Sequence, residues 1–279
     1  MEINENAIEI VGINDGPISV ILAGVHGDER GGIDAFQKIL HNLKIQNGKV
    51  FFILGNPRAI EKGVRFTESN LNRMFKDDTL ISKEEKETYE YKRAQFLKTY
   101  LDQASALLDI HSSFTPKSQP FVIAEPNSSE ITKFLPFDLI VSGFDNVEPG
   151  GTDYYMNKNG SIGICIECGY LDDIDTQNTA KDSIFSFLKI RGHIESLDLL
   201  EPINQSFILI DTIYYTKTNK FILAKEFKDF EKISAGQKIA TDGEEEIVSD
   251  KDGVILFARN LTQKNDEGYL FGDYIKKPI

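Results

Sequence analysis

His26 and Glu29 stand three residues apart at the end of an apolar run, Val20-Ile-Leu-Ala-Gly-Val-His-Gly-Asp-Glu29. Side chains three apart in a loop or first helical turn lie on one side, so this imidazole and carboxylate can converge on one metal ion. A second apolar run, Ala106-Leu-Leu-Asp-Ile-His111, also ends in histidine, and the chain has only four histidines. Catalytic zinc takes three protein ligands and keeps one position open, whereas a structural zinc is more often saturated by cysteine. Two neutral imidazoles and one carboxylate would leave the ion a cationic Lewis acid with room for water. Taken alone, His26 and Glu29 also read as a helix start with a solvated acid and an unrelated histidine. Asp109 lies two before His111 and shares its side of an extended strand. It serves either as a hydrogen-bond partner of the ligand or as an ordinary structural acid.

Glu167 sits in the apolar segment Gly163-Ile-Cys-Ile-Glu-Cys-Gly169. A carboxylate inside such a run is costly unless its tip reaches a site or a partner. There it could take a proton from an attacking water and return it to a leaving amine; an acid exposed at a strand end is the alternative. Cys165 and Cys168 flank it with metal-like spacing, but residues three apart on a strand face opposite ways, so they read as two small buried hydrophobes. Between the strands, Arg65, Asn72 and Arg73 lie in Val64-Arg-Phe-Thr-Glu-Ser-Asn-Leu-Asn-Arg-Met-Phe75. Guanidinium forks suit a carbonyl dipole or a carboxylate, although surface ion pairing explains each arginine equally well. His41 and His193 read as surface or C-terminal helix residues, where a cation suits the helix dipole.

To bring these groups together the chain needs strands that end side by side. Strand candidates are Ser19–Gly24, Val50–Leu54, Ala106–Ile110, Phe121–Ala124, Leu139–Val141 and Ile162–Glu167. Several are continuously apolar, the pattern of strands covered on both faces. Helix candidates are Asp28–Leu43, Lys83–Asp102 and Asp175–Gly192, the charge run Lys83–Lys92 reading as a solvated face and Gly192 as a C-cap. After about residue 200 the texture changes to short Ile/Phe/Tyr/Thr runs between turn signals such as Asp242-Gly243 and Asp252-Gly253. The expectation is an α/β catalytic domain over residues 1–200, with a mixed sheet flanked by helices, and a smaller all-β domain over residues 201–279.

With 279 residues the chain can bury a sizeable core. Its 31 basic and 44 acidic residues give a net charge of −13. That balance argues against nucleic-acid binding, which needs clustered cations, and means an anionic ligand must be met by a local field of opposite sign. No run is long enough to span a membrane and none has the flanks of a signal peptide. With two cysteines, a disulfide framework is not expected and a reducing cytoplasm is.

Together, His26-x-x-Glu29, Asn56-Pro-Arg-Ala59, Asn70-Leu-Asn-Arg73, Asp109-Ile-His111 and Ile166-Glu167 resemble the succinylglutamate desuccinylase and aspartoacylase family, part of the zinc carboxypeptidase superfamily. The resemblance implies one zinc ion held by His26, Glu29 and His111. It also implies Arg65 polarising a scissile carbonyl, Asn72 and Arg73 holding a substrate carboxylate, and Glu167 acting as general base and then acid. The implied reaction is hydrolysis of a small anionic N-acyl amino acid of N-acetyl or N-succinyl type by metal-activated water. A metallocarboxypeptidase using the same groups, and a metal- or ligand-binding protein without turnover, are the alternatives; self-association is left open. Two departures stand out. The family's Asp-Leu-Asn-Arg reads Asn70-Leu-Asn-Arg73 here, a change expected to loosen Arg73. The arginine that aspartoacylases carry shortly before the catalytic glutamate is missing, since no arginine lies between Arg93 and Arg191. Lys158 is the nearest cationic substitute, a point charge rather than a fork.

Overall fold

The computed structural model describes residues 7–195 and 201–277. In chain order it runs β1 (Ile8–Val11), β2 (Asn14–Ala23), α1 (Arg30–Ile39), β3 (Asn47–Leu54), α2 (Pro57–Lys62), α3 (Lys83–Glu87), α4 (Tyr89–Leu101) and β4 (Ala106–Ser113). Next come β5 (Phe121–Ala124), α5 (Ser129–Thr132), β6 (Leu139–Ser142), α6 (Phe144–Val147), α7 (Thr152–Lys158), β7 (Ile162–Tyr170) and α8 (Thr176–Ile190). Then follow β8 (Ser206–Tyr215), β9 (Phe221–Leu223), β10 (Glu231–Ile233), β11 (Lys238–Asp242), β12 (Glu245–Val248), β13 (Gly253–Leu256) and β14 (Glu267–Ile275).

Among the described residues, eleven strands form one mixed sheet in the order β1-β3-β2-β4-β7-β5-β6-β8-β14-β13-β10, and β12-β11-β9 form a second, antiparallel one. The fold class is therefore the expected one. At its centre β3, β2, β4 and β7 run parallel. Their apolar runs divide between two cores by simple alternation: Ile21 and Ala23 of β2 join the core beneath α1 and α8, while Val20 and Leu22 join the one beneath α4 and α7. Each such fully buried aliphatic side chain contributes roughly 1.5–3 kcal/mol, so the register of these strands is firmly set. Beyond residue 200 the described elements are all strands, and β8 pairs in parallel with β6. The expected border near residue 200 lies at residues outside the described ones.

Three local expectations change. The helix expected over Lys83–Asp102 is two helices, because Thr88 turns to ψ 157° and caps the second, its hydroxyl accepting from the Tyr91 N–H. Glu90, read as part of a solvated charge run, is fully buried as a result. His193, read as a surface or helix-end residue, does follow α8 but is fully buried. Its Nδ1 lies 2.9 Å from the Asn47 carbonyl and its Nε2 2.8 Å from Ser19 Oγ, tying the chain after α8 to the start of the parallel strands.

Candidate active site

The parallel strands end together at their carboxyl edge, the edge at which open α/β sheets present ligands. Past β2 the chain leaves the sheet through Gly24, held at φ 68°, and Gly27. A Cβ on Gly27 would fall 2.1 Å from the backbone carbon of Ala59 in α2. This close approach presses the His26 loop against α2 and leaves Glu29 as the N-cap residue of α1, with no side-chain capping bond. The Glu29 carboxylate is thus free to turn toward β4. There His111 stands directly opposite Glu167 of β7 in the parallel register.

His26, Glu29 and His111 are each at most 4% exposed, and one ligand atom from each lies within 4.8 Å of the others. His26 Nδ1 is 2.7 Å from Glu29 Oε1, and His111 Nδ1 is 2.9 Å from Glu29 Oε2. The outer nitrogens also face acceptors: His26 Nε2 is 3.1 Å from Asn70 Oδ1, and His111 Nε2 is 3.2 Å from Asp109 Oδ2. A neutral imidazole, the form burial enforces on His26, carries one proton and cannot serve an acceptor at both nitrogens. A cation between the inner nitrogens and Glu29 would resolve that surplus, leaving each outer N–H to an acceptor, as ligating histidines usually do. The donor set therefore fits a divalent ion of the zinc type. Burial, and then Arg65, push His26 down to about 4, which keeps it neutral. Burial also opposes charge on His111, but Cys165, Asp109 and Glu29 outweigh it and raise its pKa well above the ordinary value.

These groups line a cleft of about 820 Å³. Glu167 is 7% exposed, and its Oε2 has no hydrogen-bond partner. Burial first, and Glu29 second, push its carboxyl well above the usual range. Arg65 lines the same cleft and donates from Nη1 to Glu29 Oε1 at 3.1 Å. The Arg65 loop is fastened from beneath by Glu90, which accepts from the Thr67 N–H at 2.7 Å, the Thr67 hydroxyl at 2.6 Å and the Ser69 N–H at 3.2 Å.

Asn72 and Arg73 are in the wall as well, but engaged. Asn72 Oδ1 accepts from the Thr152 N–H at 3.3 Å. Arg73 donates to both oxygens of Glu267 at 2.8 and 2.9 Å, to the Asn72 carbonyl, and to Glu148. Asn70 does not loosen Arg73, since its side chain meets His26 Nε2 and the Asn72 N–H. Lys158 is absent from the cleft lining; it is exposed on the outer side of α7 and pairs with Asp77. The cleft holds other groups that the sequence reading missed, namely Asp145, Glu148, Asp153, Arg259 and Glu267. None is marked by a local motif, and Arg259 and Glu267 arrive only because β13 and β14 join the sheet beyond β8. Cys165 faces this cleft while Cys168 packs in the core on the opposite side of β7.

The family model of the succinylglutamate desuccinylase/aspartoacylase catalytic domain matches residues 15–188. The chain is 36% identical over 78 residues to a succinylglutamate desuccinylase of Pseudomonas paraeruginosa, covering 25% of this chain and 24% of that one. It is 39% identical over 80 residues to a probable aspartoacylase of Prochlorococcus marinus, covering 28% and 27%. The chain thus matches only about a quarter of the length of these curated relatives. Its fold is similar to the X-ray structure of a succinylglutamate desuccinylase from Vibrio parahaemolyticus, with a TM-score of 0.76 at 16% identity over 97% of this chain and 91% of that one.

Proposed function

Because the chain belongs to the succinylglutamate desuccinylase/aspartoacylase family, we propose that it is a zinc-dependent amidohydrolase that cleaves the amide bond of an N-acyl amino acid. The observation that carries this reading is the pairing of His111 with Glu167 across β4 and β7, with His26 and Glu29 delivered beside them from β2. His26, Glu29 and His111 would hold the ion, which when bound supplies Lewis acidity and lowers the pKa of water.

The chain's own groups supply the rest. Glu167, with its unpartnered Oε2 in the cleft, takes the proton of the attacking water and hands it to the departing amine. Its burial suits the second half of that role, since a carboxyl raised in pKa holds a proton long enough to return it. Arg65, beside Glu29, offers N–H donors to the carbonyl oxygen as negative charge develops there. Asn70 Oδ1 faces the outer nitrogen of His26 and Asp109 Oδ2 lies 3.2 Å from that of His111, positions from which they would orient the imidazoles.

Elemental analysis of the purified protein, followed by a panel of N-acetyl and N-succinyl amino acids, tests this reading. Bound zinc and release of a free amino acid from at least one member are expected. A zinc-loaded protein that leaves the whole panel intact overturns it.

A further inference from the structure

Three guanidinium groups line the cleft, those of Arg65, Arg73 and Arg259. Two are committed. Arg73 spends its donors on Glu267, Glu148 and the Asn72 carbonyl, and Arg65 turns one toward Glu29. The Arg259 guanidinium makes no hydrogen bond among the described residues. Its nearest acid, Asp266, lies 3.6 Å from Nη2, beyond hydrogen-bond reach. The group is nonetheless held in place, its Cζ 5.1 Å from the centroid of the Phe114 ring.

The backbone around it is built with some strain. Phe257, two residues earlier, has φ 54°, a left-handed conformation that a bulky side chain adopts only when its surroundings enforce it. Here its N–H donates to Asp229 Oδ1 at 3.0 Å while its ring packs against Phe114 and Phe121. Asp229 in turn accepts from the hydroxyls of Ser113 and Thr115, the residues that end β4 and follow it. The Arg259 N–H is fixed by the Gly268 carbonyl at 3.2 Å. Arg259 is therefore locked to the His111 strand end, and it lies close enough to Arg65 for the two cations to repel. A guanidinium with its hydrogen-bond donors unspent, paired only loosely with Asp266 and close to a second guanidinium, forms a preorganised site for an anion.

We propose that Arg259 is the fork that grips the substrate's carboxylate, standing in from the C-terminal strands for the arginine this chain lacks before Glu167. This assignment rests on the amidohydrolase reading for the identity of the carboxylate as that of an N-acyl amino acid.

The test compares wild type, Arg259→Gln and Arg259→Lys, all zinc-loaded. With the best member of the panel and its carboxamide, the wild type is expected to favour the acid by about 10- to 100-fold in kcat/KM, the value of a charge-assisted hydrogen-bonded contact. Arg259→Gln should shrink that preference toward unity and raise KM more than it lowers kcat. Arg259→Lys should fall between, because it keeps the charge without the fork. An acid preference that survives intact in Arg259→Gln overturns the assignment. Calorimetric titration with succinate reads the same grip without turnover, and Arg259→Gln should weaken its binding at least about tenfold. Succinate bound equally by both proteins, or not at all by the wild type, overturns Arg259 whatever the panel gives. An inert panel beside Arg259-dependent succinate binding overturns the amidohydrolase reading alone.

Discussion

Glu29 accepts from the Ser112 N–H and from Arg65 while facing both imidazoles, so a single carboxylate joins three segments of chain. Its place in the cleft was legible because it sits at fixed spacing from His26, and those of His111 and Glu167 because each interrupts or ends an apolar run. The acids on the opposite wall carry no such mark. Asp145 is pushed up from its ordinary 3.8 to about 7, by burial first and Asp153 second, against a hydrogen bond from Asn157. A carboxyl whose folded pKa is raised contributes stability in full below its unfolded pKa and loses it as pH rises through the folded one. Asp145→Asn should therefore gain Tm relative to wild type between about pH 4 and about pH 7. Melting both proteins at about pH 5 and about pH 8 checks this; a Tm difference that does not grow with pH contradicts it. Lys158 shows the converse failure. Nearness in sequence to Glu167 suggested it, but α7 turns it outward to Asp77, a direction that sequence distance does not reveal.

At the scale of elements, the strands were readable because continuous apolar runs in a two-face-covered sheet differ sharply from the polar segments between them. The break at Thr88 was not, since the run around it is uniformly helix-forming and only the cap at Thr88 divides it. That break matters to the site. It delivers Glu90, at the first turn of α4, into the loop that carries Arg65 and Asn70. Burial raises the Glu90 pKa, but the hydrogen bonds from Thr67, Asn56 and Ser69 outweigh it and hold the carboxyl below its ordinary value. Removing this acceptor leaves several N–H groups unsatisfied at about 1–3 kcal/mol each. Glu90→Ala should lower Tm by about 5–10 °C and raise KM as the Arg65 loop slackens. An unchanged Tm would show that the loop holds its shape without Glu90.

For the whole molecule, the change of texture after residue 200 was visible, but the attachment of that part was not. Strand pairing between β6 and β8 is a long-range choice with no local signature. It makes the sheet continuous across both parts, with Ile208, Ile210, Leu256 and Leu270 filling one core with Phe121, Val141 and Phe144. Truncation before residue 205 is thus expected to expose this core and abolish cooperative unfolding, as read by calorimetry. A truncated chain that melts in one sharp transition at the wild-type Tm would mean that the C-terminal strands add nothing to the catalytic part. The same continuity brings Arg259 and Glu267 to the cleft, so in a chain of net charge −13 one more guanidinium stands where an anionic ligand would enter.

We propose that this cleft hydrolyses an amide with Glu167 as proton carrier beside a bound zinc. Zinc content and kcat of Glu167→Gln, measured beside the wild type on the best panel substrate, test it most directly. About one zinc per chain in both proteins, with kcat reduced by at least about 100-fold in the variant, is the expected result. A Glu167→Gln protein that retains near-normal kcat contradicts it.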